Sequence, residues 1–232
     1  MVKDSPSVDQ PSAVNEDLAP LIRAVEEADS KGAMVAAVGR LAAQRHPAAI
    51  PTLIRVLGYN NPGAAVAAVD GLVALGESAV PALLEELDGY NYGARAWAIR
   101  ALSLIGDPRA LDILLETATG DFALSVRRAA AKGLGYLNWA LLPSDQVANA
   151  QAQSLQALIQ GTEDPEWVVR YAAVVGLQGL ALALAIRETP CTEDFTTIQQ
   201  QLQRVVQHDN ALAVQARAKL ALTTLAGASS PR

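Results

Sequence analysis

Five stretches of this 232-residue chain are variations on one twelve-residue pattern. They start at Ala64, Ala94, Val126, Val169 and Val214 and read AAVAAVDGLVAL, ARAWAIRALSLI, VRRAAAKGLGYL, VRYAAVVGLQGL and VQARAKLALTTL. A small residue recurs at Ala68, Ala98, Ala130, Ala173 and Ala218. Four positions on, a leucine recurs at Leu72, Leu102, Leu134, Leu177 and Leu222. A spacing of four places both on one face of a helix. The starts lie 30, 32, 43 and 45 residues apart. A period in that range marks a solenoid, in which each unit buries its apolar face against its neighbours. The fold class expected is all-α, a superhelix of about five to six helix pairs.

The punctuation agrees. Shorter first helices are expected near Ile50–Leu57, Val80–Leu87, Ala110–Ala118 and Leu155–Gln160, with Pro51, Pro81 and Pro108 at or near the starts of the first three. A proline there removes an N–H that the helix would not use. Gly76 and Gly106 follow second helices and suit left-handed C-terminal caps. Asp121 and Asp164 precede second helices, where an acceptor and a negative charge are favoured. An opening pair, near Leu18–Ala28 and Ala33–Arg45, caps the array. The longer periods imply insertions at 138–148 and 185–196, read as loops. Residues 1–16 read as a disordered tail, 17–226 as one repeat domain and 227–232 as a frayed end.

Composition removes several function classes. The apolar half of the chain is mostly Ala, Leu and Val, and only 4% is aromatic, which suits close helix packing and argues against sheet. A net charge of −6 with scattered arginines lacks the basic footprint of a nucleic-acid binder. The longest apolar run, Tyr171 to Ile186, is interrupted by Gln178 and two glycines and reads as a buried helix rather than a membrane span. No secretory signal pattern is visible, and a reducing cytoplasmic setting is expected. Cys191 is alone and can close no internal disulfide. His46 and His208 have no ligand-like spacing, so no metal site is expected. No phosphate-binding glycine loop and no Ser/His/Asp arrangement stands out.

The repeats resemble HEAT-like repeats, and three stretches narrow the likeness. They are Leu57–Leu72 (LGYNNPGAAVAAVDGL), Leu87–Leu102 (LDGYNYGARAWAIRAL) and Gly120–Leu134 (GDFALSVRRAAAKGL), joined by Glu166–Ala173 (EWVVRYAA). These resemble the HEAT-like bilin lyase family, in particular its F-type subunits, from about Leu18 to Leu225. The run Tyr90–Trp97 is the more specific part, because a helical repeat does not need its aromatics.

The resemblance implies a function. The family's E-type and F-type subunits pair, bind the open-chain tetrapyrrole phycocyanobilin as substrate, and attach it to a cysteine of the phycocyanin α subunit. A thiolate adds across the ethylidene of ring A, and the nucleophile belongs to the acceptor. No tightly bound cofactor is implied. Some relatives also isomerise the bilin through a His-Cys pair in a loop, and the Tyr-Asn-Tyr loop here has neither residue. A noncatalytic adaptor for phycobilisome assembly or disassembly is the competing reading.

A bilin carries two propionates, a flat conjugated body and basic nitrogens. Its site needs arginines, aromatics and a carboxylate. Asp121 and Tyr92 are the candidate catalytic groups. Tyr90, Trp97, Arg95, Arg127, Arg128 and Arg170 are candidates for binding. Several have a structural counterpart, although the repeat demands no core role of Tyr92. Asp121–Arg127 and Asp164–Arg170 are spaced as pairs that brace neighbouring repeats. Trp97 aligns with Ala129 and Ala172 and could fill core space. Arg128 and Lys132 could form a solvated stripe. All lie on second helices or the loops before them, the side that usually lines the concave face of such an array.

Overall fold

The computed structural model describes residues 18–87, 92–185 and 192–228. Among them are twelve α-helices in six consecutive pairs, and no strand. The pairs are α1 (Ala19–Glu26) with α2 (Lys31–Ala43), α3 (Ile50–Leu57) with α4 (Pro62–Leu75), and α5 (Val80–Glu86) with α6 (Tyr92–Ile105). They continue as α7 (Leu111–Gly120) with α8 (Leu124–Leu134), α9 (Ser144–Gly161) with α10 (Trp167–Ala185), and α11 (Thr192–His208) with α12 (Leu212–Ala228). Residues 1–16 and 229–232 lie outside the described residues.

Local chemistry sets the boundaries. The Ser30 hydroxyl accepts from the Ala33 N–H and starts α2. Asn61 accepts from the Ala64 N–H at 3.2 Å and precedes Pro62 in the first turn of α4. Gly76 and Gly106 have φ of +60° and +71°, a region other residues enter at a cost. At Gly106 a side chain is doubly excluded, since a Cβ would lie 2.8 Å from the Tyr136 carbonyl oxygen.

Two expected loops contain helix. Ser144 to Gln153 belongs to α9, and Trp139–Leu141 is a 3-10 turn before it. That stretch is rich in Ala, Gln and Asn, so it shows little apolar periodicity, and its buried residues are Ala150 and Gln151. Likewise α11 begins at Thr192, inside the expected loop, with Glu193 and Asp194 favourably placed in its first turn. It buries Ile198, Leu202 and Val205 at helical spacing.

The repeat columns are the core. Ala68, Ala98, Ala130, Ala173 and Ala218 are fully buried, as are Leu72, Leu102, Leu134 and Leu177. Leu222 is only half-buried, and Ala221 and Leu225 do the packing in α12. A third column sits one residue before the leucine, at Gly71, Ala101, Gly133, Gly176 and Ala221. There a second helix meets the one before it. A Cβ on Gly71 would lie 2.6 Å from Ala42 Cβ, and one on Gly133 2.6 Å from Ser103 Oγ. Successive second helices therefore pack along their lengths, whereas successive first helices meet much less. The second helices form the tighter, inner row.

By length and apolarity alone, Pro62–Glu86 and Trp167–Ala185 could each span a bilayer. In the array α10 packs on α8, α9 and α12 instead, burying Val169, Val174, Leu177, Leu180 and Leu184.

Candidate functional site

The charged residues at the starts of the second helices form a ladder. Arg95 Nε donates to Asp121 Oδ2 at 3.2 Å. Arg127 Nε and Nη2 donate to the two carboxylate oxygens of Asp164 at 2.7 and 3.2 Å. Arg170 does the same to Asp209, at 2.7 and 3.0 Å, and adds Asn210 Oδ1 at 2.6 Å. Each arginine also ties down its own unit. Arg95 Nη1 donates to the Leu87 carbonyl, Arg127 Nη1 to those of Asp121 and Phe122, and Arg170 Nη1 to those of Asp164 and Pro165. Each aspartate accepts from a backbone N–H two residues on, at Ala123, Glu166 and Ala211. In the last unit Gln215 replaces the arginine and donates to the Asp209 carbonyl.

The pairing differs from that expected from spacing. Asp121–Arg127 and Asp164–Arg170 are not carboxylate–guanidinium pairs. Each arginine reaches forward to the aspartate of the next unit and meets its own unit's aspartate only at the backbone. The reason is geometric. The aspartate turns its carboxylate back toward the preceding unit, which leaves only its carbonyl facing its own arginine. Asp209, the last rung, was absent from the sequence candidates. Its position before α12, equivalent to Asp164 before α10, is the signal that marks it.

The ladder is buried, so its charges are committed. Side-chain exposure is 12% and 9% for Arg127 and Asp164, and 11% and 3% for Arg170 and Asp209. Hydrogen bonding to the carboxylates outweighs burial and raises the Arg127 and Arg170 pKa values further above their usual range. For Asp209, burial opposes ionisation. The Arg170 hydrogen bond, the Ala211 N–H and the Arg170 charge together win and lower its pKa. A carboxyl lowered on folding stabilises above its unfolded pKa of about 3.9, and that contribution fades as pH falls through the lower folded value. Thermal melts between pH 6 and pH 3 should show a falling Tm below about pH 4. Asp209→Asn should flatten that fall while lowering Tm at pH 6, and an unchanged slope would show that this rung does not titrate with folding.

The other candidates fall elsewhere. Asp121 has one oxygen on Arg95 and the other on the Ala123 N–H, with its side chain 5% exposed. Arg95, Arg127 and Arg170 are all occupied by the ladder. Tyr92 is the first residue of α6, and Tyr90 and Cys191 lie outside the described residues. Trp97 is partly buried against the core, with the Arg100 guanidinium 5.7 Å from its ring centre, within cation–π range. Arg128 is exposed on α8.

A surface the sequence candidates largely missed lies beside the ladder. Among the described residues, no first helix carries a strongly exposed large apolar side chain. Second helices carry Val35, Val66, Leu104, Leu124, Trp167, Tyr171, Leu212 and Leu220 exposed, and Tyr136 lies two residues beyond the end of α8. Trp167 is 48% exposed and Tyr136 49%. Apolar side chains gathered on one layer of an array mark a binding face. By contrast, a cleft of about 400 Å³ between the α9–α10 turn and the end of α11 has charged and polar walls, including Glu163, Arg204 and His208, and does not suit a flat apolar ligand.

Comparison with known proteins fits this geometry. Residues 77–135 match the HEAT repeats family model. The phycocyanin alpha phycocyanobilin lyase CpcF of Synechocystis sp. is 59% identical over 73% of this chain and 79% of its own length. A phycobilisome maturation protein of Synechococcus elongatus is 53% identical over 89% of this chain and 97% of its own. Among solved structures, a chain from the complex of CpcE and CpcF of phycocyanin lyase from Nostoc sp. superposes with a TM-score of 0.68 at 51% identity, over 75% of this chain and 98% of that one. With its six-pair array and identity sustained across most of the relatives' length, this chain belongs to the phycocyanobilin lyase subunit family that includes CpcF.

Proposed function

We propose that this chain is the F-type subunit of a heterodimeric lyase that attaches phycocyanobilin to a cysteine of the phycocyanin α subunit. The observation that carries this is the 59% identity to the phycocyanin alpha phycocyanobilin lyase CpcF. The 51% identity to a chain of the CpcE–CpcF complex supports the E-type partner. The enzyme works as the pair, in the cytoplasm alongside the assembling phycobilisome, and phycocyanobilin is a substrate rather than a resident cofactor.

The bond that forms joins the acceptor's cysteine sulfur to the ethylidene carbon of ring A. The electrons of that double bond shift into the ring, which takes up a proton. The nucleophile is the acceptor's, so the lyase must hold the bilin, exclude water and present ring A. In this reading the ladder keeps the second helices in register, and Arg95, Arg127, Arg170 and Asp121 act through it. The layer that carries Trp97, Arg128, Trp167 and Tyr171 meets the bilin and the partner, with Tyr92 at its edge.

The test is co-expression of this chain with an E-type subunit, phycocyanobilin and phycocyanin α. Covalent, zinc-fluorescent α subunit should form only when both lyase chains are present. Equal product without this chain would sink the proposal.

A further inference from the structure

With the ladder arginines occupied, the bilin's two carboxylates need other partners. We infer that Arg100, Arg128 and Lys132 anchor the propionates. This rests on the lyase reading above and assigns a binding role that the ladder arginines cannot fill.

The three cations share one neighbourhood. Aligned on the repeat, Arg100 of α6 and Lys132 of α8 occupy the same position of adjacent second helices, and Arg128 lies one turn before Lys132. Adjacent packed helices run about 8–10 Å apart, and residues four apart on one helix about 6 Å. Long flexible side chains at those positions can converge on two carboxylates that sit on neighbouring rings. All three residues are exposed. Among the described residues none of them has a carboxylate within ion-pair distance, whereas all three ladder arginines do. The chain as a whole carries a charge of −6, so cations gathered on the apolar layer with no ion pair among the described residues are complementary to a dianionic ligand.

An aromatic floor adjoins them. Arg100 lies over Trp97. Tyr171 occupies on α10 the position that Arg128 holds on α8. The Tyr136 ring lies against α10, where a Cβ on Gly179 would be 3.0 Å from Tyr136 Cε2. Flat rings next to flexible cations suit a tetrapyrrole body with two acidic arms. A partner protein's acidic segment would use the cations alone.

The experiment titrates the purified heterodimer with phycocyanobilin and with its propionate dimethyl ester, following absorbance. Wild type should prefer the free acid by about tenfold or more, the scale of a pair of charge-assisted contacts. Arg128→Gln with Lys132→Gln should remove that preference while leaving the ester's affinity and the heterodimer's elution volume unchanged. Arg100→Gln should reduce it in part, and Lys132→Arg should retain it. If the double variant keeps the free-acid preference, or if it no longer assembles with the E-type subunit, the assignment is overturned and the lyase reading stands. If the wild-type heterodimer binds neither form and transfers no bilin, the lyase reading fails as well.

Discussion

Gly176→Val should loosen the joint between α8 and α10 and cost about 3 kcal/mol of stability, the upper part of the range for overpacking a tight contact. A Cβ at Gly176 would run into the Ala131 carbonyl oxygen, and would lie 2.5 Å from Leu158 Cδ2. The leucine can move, but the carbonyl belongs to a helix and cannot. The same joint holds Gly135, whose Cβ would meet the Gly176 backbone, and Gly179, whose Cβ would meet the Gly135 carbonyl. Three glycines thus let two helix backbones approach each other. In a solenoid each unit is held only by its neighbours, so a failure here should release the last two pairs from the first four. Urea unfolding should show a lowered midpoint and a separated early phase. Gly39→Ala is the contrast. Nothing lies within 4 Å of a Cβ there, in the middle of α2, so that change should stabilise by about 0.5–1 kcal/mol. Equal effects of the two changes would contradict this account of the packing.

Asp164→Ala should cost about 3 kcal/mol, because it strands the Arg127 guanidinium in a site where that side chain is only 12% exposed. It also removes the acceptor for the Glu166 N–H at the turn into α10. Glu26→Ala breaks an ion pair of similar length, Arg55–Glu26 at 3.0 Å, but both side chains are about half exposed, and its cost should stay under about 1 kcal/mol. Chemical denaturation of the two variants checks the ranking, and an equal loss would show that the ladder is no more than a surface feature. The same comparison bears on Asp121. If Asp121→Asn lowers the denaturation midpoint and leaves bilin transfer per folded molecule intact, the residue is a brace. If transfer falls while the midpoint holds, it takes part in the chemistry.

The array was legible because its core repeats in identity as well as in polarity. Ala98 and Leu102 look like Ala130 and Leu134, and all four are buried. Helices α9 and α11 were harder to see, since their exposed faces are runs of Gln, Asn and Thr that carry no apolar period. The ladder was half legible. The residue types and their places at the second-helix starts could be read, but spacing in sequence suggests pairing within a unit. Only the stacking of units shows that Arg127 meets Asp164 across the joint. The exposed apolar face was the least legible. Trp167 and Tyr171 sit four apart in an apolar helix, as core residues do, and nothing local says that they remain exposed. Trp97 was the reverse, a conspicuous residue that spends part of its surface on the core.

If the exposed layer of second helices works on the bilin while the ladder behind it holds the frame, removing aromatics from that layer should slow transfer without loosening the fold. The direct measurement is the initial rate of bilin transfer to apo-phycocyanin α by purified heterodimer, wild type against Trp167→Ala with Tyr171→Ala. Both side chains are substantially exposed, so the double variant should keep its melting temperature within a degree or two. At least a tenfold loss of transfer is expected at that unchanged stability. Transfer at the wild-type rate would contradict it.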